Sequence, residues 1–174
     1  MYAYEKTILE TYGQTEAFIK STRLAIKRGA LASYYSRKPV EQLADEIIKL
    51  KLQLEEIEAL KNAIDESLLE IKPCYSYFLK VRYGILDGKD LSVEKDSHYY
   101  RMVAYALGKF VSSMRKRGYS GEVLNRTFQN YVYLQSAYKQ ISNFETKVKS
   151  CGNLKHGGTS LKNKKIKKEG FKKF

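Results

Sequence analysis

The 174-residue sequence predicts an all-α fold: a long helical hairpin, a compact helix-turn-helix-like unit, a long C-terminal helix and a basic disordered tail. Three observations lead there. Apolar residues recur at spacings of three and four through most of the chain, the period of a single helix face. No stretch alternates apolar and polar residues over a useful strand length. The only two prolines, Pro39 and Pro73, each fall between periodic stretches. The units this defines are 1–72 (hairpin, coiled-coil-like), 73–119 (helix-turn-helix unit), 120–149 (C-terminal helix) and 150–174 (tail).

In the first helix Tyr4, Ile8, Tyr12, Thr15, Phe18, Ile19, Ala25 and Ile26 share a face, and the helix is expected to end near residues 28–29. Gly13 lies inside it at a cost of about 1 kcal/mol against Ala. Residues 31–38, with Tyr34 and Tyr35, form a connection. Pro39 then suits a first helical position, where its missing N–H has no partner to lose.

The second helix, 39–72, is the clearest. Leu43, Ile47, Leu50, Leu54, Ile57, Ile64, Leu68 and Ile71 follow four-three steps, interrupted where Lys61 stands in an apolar place beside Leu60. Such a seam packs nearly antiparallel on a partner. The first helix is the favoured partner, and a second copy of the chain, giving a homodimer through 39–72, is the alternative. Glu55, Glu56, Glu58, Glu66 and Glu70 make this the acidic side of the molecule, a solvated face set away from nucleic acid.

Pro73 closes that helix. A short one follows over 75–83, with Tyr75, Phe78, Leu79 and Arg82 along one side and Gly84 as its stop. A polar stretch, 85–96, contains the turn signal Asp87 and Gly88 and two apolar anchors, Leu91 and Val93. The last helix is capped by Ser120 and runs to about Lys149. Its inner side holds Leu124, Phe128, Tyr131, Leu134, Tyr138 and Ile141, with Phe144 a weaker candidate.

Residues 97–118 carry the functional signal. Val103, Leu107, Phe110 and Met114 form an apolar stripe, while His98, Arg101, Tyr105, Lys109 and Lys116 recur on the other side and Arg115 and Arg117 finish the last turn. A serine-capped helix of this kind can lie in a duplex groove, its N-terminus toward phosphate and its outer side chains toward base edges. An amphipathic helix with a merely solvated charged face is the plainer alternative. Of Tyr99 and Tyr100, one is expected in the core.

The run Leu79, Lys80, Val81, Arg82, Tyr83, Gly84, a polar turn, and a serine-initiated helix ending Leu107, Gly108, Lys109, Phe110 resembles the helix-turn-helix of sigma-70 region 4. It is still more similar to the phage ArpU/RinA-type late-transcription regulators, with Tyr99, Tyr100 and Arg101 in their aromatic positions. The resemblance covers roughly residues 72–119. It departs from the family where Asp90 to Asp96 leave room for about two helical turns, so the first helix of the motif is shortened. It implies Ser97, His98, Tyr100, Arg101, Tyr105 and Lys109 as the DNA-facing set, to which the basic end of the helix adds Arg115 and Lys116. Arg101 leads, because its fork matches both guanine and phosphate. Lys80 and Arg82 could instead pair with Asp87 or Asp90.

Composition points the same way. The net charge is +13, but residues 147–174 hold ten lysines and one acid, Glu169, which leaves only about +4 on the globular part. Lys162, Lys164, Lys165, Lys167 and Lys168 of the tail are expected to contact phosphates without sequence preference. Catalysis has little support: the two histidines are His98 and His156, and no phosphate loop or paired carboxylates occur. Cys74 and Cys151 lack metal or redox spacing, so no metal and no cofactor are expected. Glu5 and Glu10 interrupt any leader-like apolar run and no stretch is a membrane span, so a cytoplasmic location away from membranes is expected. The expected function is a non-enzymatic DNA-binding transcription regulator, with double-stranded DNA and RNA polymerase as candidate partners. The alternative is a helical interaction protein that holds DNA or RNA loosely through its tail.

Overall fold

The computed structural model describes residues 2–32, 35, 38–86 and 96–152, and these form an all-α fold without strands. Seven helices occur among them: α1 (Ala3–Glu10), α2 (Tyr12–Ala32), α3 (Val40–Glu70), α4 (Pro73–Arg82), α5 (Ser97–Lys116), α6 (Gly121–Asn130) and α7 (Val132–Gly152). The turn at Asp87 and Gly88, the anchors Leu91 and Val93, the shortened motif helix before Asp96 and the tail lysines from Lys155 onward lie outside the described residues.

The first helix is bent at Thr11. The hydroxyls of Thr7, Thr11 and Thr15 donate to the carbonyls of Ala3, Thr7 and Thr11 at 2.7, 2.8 and 3.1 Å, while the backbone bonds at Thr11 and Thr15 persist. Back-bonding of this kind widens one side of a helix and bends it. The bend separates α1, which packs on α7, from α2, which packs on α3. Neither Gly13 nor the expected end near residue 29 limits the helix, which continues to Ala32.

α3 is the scaffold, flanked by α2, α4 and α5. Its Ile57, Leu60, Ile64 and Leu68 are fully buried, with Leu60 taking the core place beside Lys61. Toward its start, Ile47, Leu50 and Leu54 are only half-buried. Ile71 turns extended, and Pro73 opens α4 at its first turn. Pro39 is the N-cap of α3.

The predicted C-terminal helix is two helices, broken at Tyr131 (φ −129°, ψ 109°). The Tyr131 hydroxyl donates to the Gln53 carbonyl at 2.8 Å and the Glu56 carboxylate at 3.0 Å, and Asn130 reaches the same carboxylate. These anchors on α3 hold the chain out of helical register for one residue. α7 then returns along α1, with Tyr138 stacked on Tyr4 at 4.4 Å and Tyr133 beside Phe18. Leu134 is buried, Ile141 half-buried and Phe144 69% exposed, so the inner face of α7 ends before Phe144. The helix runs three residues past the expected end, to Gly152.

The acidic face of α3 is not merely solvated. Glu58 pairs with Arg23, Glu66 and Glu70 with Arg117, Glu70 also with Lys116, and Glu56 receives α6. Lys61 bonds Asp65 at 2.7 Å and the Tyr12 hydroxyl at 3.2 Å. Burial opposes its charge, but these bonds outweigh that and hold Lys61 protonated well above the ordinary lysine range. A lysine thus occupies the seam because a polar network receives it.

Candidate nucleic-acid interface

α5 owes its amphipathicity to Tyr99, Val103, Ala106, Leu107, Phe110, Val111 and Met114, all buried. Burying a side chain of this size contributes about 1.5–3 kcal/mol, which fixes the rotation of the helix. The opposite face is open and carries no acid at all: α5 contains neither Asp nor Glu. Its C-terminus closes in a Schellman motif, Gly118 at φ +89° with Tyr119 N–H on the Met114 carbonyl and Gly118 N–H on that of Arg115.

The cap is Asp96, whose carboxylate accepts the Tyr99 N–H at 2.7 Å, and Ser97 is the first helical residue. This corrects the expectation of a serine cap. A carboxylate already meets the helix N-terminus, so its backbone N–H groups are not an open phosphate site.

The predicted contact residues fall into two groups. Arg101 is exposed and touches His98 Nδ1 at 3.4 Å. Lys109 lies over the Tyr105 ring at 5.4 Å. Among the described residues neither cation has a carboxylate partner. Tyr100 and Tyr105 are 56% and 48% exposed between them, and Tyr99 is the core member of its pair, 2% exposed.

Arg115 and Lys116 differ. Arg115 approaches the buried Glu5 at 3.8 Å, and Lys116 lies 3.4 Å from Glu70. Glu70 also accepts the Ser113 hydroxyl, and this bond, ahead of Lys116, holds its carboxyl below the ordinary value. The last turn of α5 is therefore clamped to α3 and α1, and its field is largely cancelled locally. Only the turns from Ser97 to Lys109 project uncompensated positive charge.

α4 supports those turns. Tyr75 meets Tyr105 at 4.8 Å and Phe78 meets Tyr99 at 5.9 Å. The pairs run in opposite order along the two helices, so α4 and α5 are antiparallel. Arg82 sits over Tyr83 at the end of α4, toward the start of α5. Sequence reasoning placed Tyr75, Phe78 and Arg82 on one side of their helix. What it missed was the clamp on residues 115–117, because Glu5, Glu66 and Glu70 lie too far away along the chain to leave a spacing signal.

Among the described residues no three His, Cys, Asp or Glu side chains gather as a metal site, and no helix is long and apolar enough to cross a membrane. No family model, no curated protein and no solved structure matches the chain.

Proposed function

We propose that the chain is a non-enzymatic DNA-binding regulator that presents the outer face of α5 to a duplex. One observation carries the reading: Arg101 and Lys109 stand exposed and without carboxylate partners on a helix free of acids, with Tyr100 and Tyr105 exposed beside them. Cations in this setting release counterions from phosphate, and Arg101 can also reach base edges. Arg115 and Lys116 act mainly as part of the clamp and contribute less. Lysines beyond residue 152 add affinity without preference.

A second reading, a helical interaction protein, is favoured by the hairpin. Leu24, Leu31, Val40, Ile48 and Leu52 are exposed on α2 and α3, which pack against each other. In that reading a second copy or another helical protein covers the hairpin, and the tail alone holds nucleic acid.

Fluorescence anisotropy with labelled duplexes across a salt series separates the two. Under the first reading Arg101→Gln and Lys109→Gln each lower the slope of log K against log salt by about 0.9. Under the second they change nothing, and a chain ending at residue 152 loses all binding.

A further inference from the structure

We propose that the hollow between the end of α4 and the start of α5, framed by Arg82, Tyr99 and Tyr100, is a phosphate pocket that takes a backbone phosphoryl group of nucleic acid lying on α5. The inference deepens the DNA-binding reading and rests on it. The hollow is about 250 Å³, and among the described residues Val81, Arg82, Tyr99 and Tyr100 line it. That is below the roughly 300–1,000 Å³ of small-molecule sites, and suits one group of a larger ligand rather than a whole one.

Among the described residues its chemistry is one-sided. The Tyr99 side chain is buried, yet its hydroxyl has no hydrogen-bond partner. Buried hydroxyls are ordinarily satisfied, so an orphan on a residue that lines a hollow points to a partner supplied from outside. Burial raises the Tyr99 pKa, with Arg82 pulling the other way, so the phenol is a protonated donor at neutral pH. The Arg82 guanidinium can only donate. Among the described residues it has no carboxylate partner, and it stacks on Tyr83 at 5.6 Å. The cap carboxylate of Asp96 is spent on the Tyr99 backbone N–H and is not a wall of the hollow. Two donors, one of them cationic, call for an anionic acceptor, and a guanidinium fork matches phosphate oxygens.

The position fits the same ligand. Tyr100, a wall of the hollow, is next to Arg101, so a strand tracking the outer face of α5 brings a phosphate to its edge.

The test uses the full chain and the variants Tyr99→Phe and Arg82→Gln, with two readouts. In duplex anisotropy Tyr99→Phe is expected to weaken binding about tenfold, as for one hydrogen bond to a charged acceptor. Its unfolding midpoint stays level or rises, because the orphan hydroxyl is gone. Arg82→Gln lowers the salt slope by about 0.9. In thermal melts at matched ionic strength, inorganic phosphate raises the midpoint of the unaltered chain above that in chloride, and neither variant responds. Duplex binding indifferent to Tyr99→Phe overturns the pocket and leaves the DNA reading standing. A phosphate response lost in both variants, without any duplex binding, supports the pocket as an anion site and removes the DNA reading. No response in either assay overturns both.

Discussion

Tyr131→Phe removes a single hydroxyl from the point where α6 and α7 are pinned to α3. That hydroxyl donates at 2.8 Å to a backbone carbonyl and at 3.0 Å to a carboxylate, from a side chain only 3% exposed. A hydrogen bond to a charged group contributes about 1.5–3 kcal/mol, and Glu56 keeps Asn130 as a donor, so the expected loss is about 2 kcal/mol. At roughly 2–4 °C per kcal/mol for a chain of this size, the melting midpoint falls by roughly 4–8 °C. The pH dependence supplies a second check. Burial, then the bond to Glu56, raises the Tyr131 pKa far above its ordinary 10.0. A raised folded value means the contribution is fully present below pH 10 and is lost as pH rises through the folded value. The gap between the parent chain and Tyr131→Phe is therefore constant from pH 7 to about 9 and narrows above 10. Other tyrosines titrate in both proteins alike and cancel in the difference. Urea denaturation at stepped pH measures it. A gap under about 0.5 kcal/mol at pH 7, or one that widens in alkali, refutes the anchoring argument.

Further outcomes follow from the same geometry. Phe110→Ala empties a fully buried site on α5 and is expected to cost about 3–5 kcal/mol in urea denaturation; a loss under 1 would mean α5 is rotated differently. Gly118→Ala forces a Cβ into a left-handed conformation at φ +89° and destabilises by about 1–2 kcal/mol, whereas Gly13→Ala, in open space within α2, stabilises by about 0.5–1 kcal/mol. Opposite signs in paired thermal melts are the check. Glu70, held below its ordinary 4.5 first by Ser113 and then by Lys116, contributes stability above pH 4.5 that disappears as pH falls through its lowered value. Glu70→Gln is accordingly less stable than the parent at pH 6 and equal to it at pH 2, as measured by urea midpoints.

Local pattern made much of this molecule legible. The seam of α3, the stops at Gly84 and Gly118, and the inward face of α5 all follow from spacing and from residue types with strong conformational preferences. So do the members of the candidate site: Arg101, Tyr105 and Lys109 recur at helical spacing on a helix without acids. Where the prediction slipped, the cause lay outside the local window. The bend at Thr11 could have been read from three threonines four residues apart, whose hydroxyls return to the backbone. The break at Tyr131 could not, since its reason is Gln53 and Glu56 on another helix.

The amino-acid order alone therefore determined that the chain is helical, which faces are apolar and which helix bears the unopposed cations, because these depend on neighbours three and four residues away. Only the tertiary structure decided which charges remain available. Arg115, Lys116 and Arg117 look equivalent to Arg101 and Lys109 along the sequence, and lose that equivalence when α1 and α3 bring Glu5, Glu66 and Glu70 against them. Coulomb interactions act through space, so the availability of a cation is set by what the fold places within a few ångströms of it.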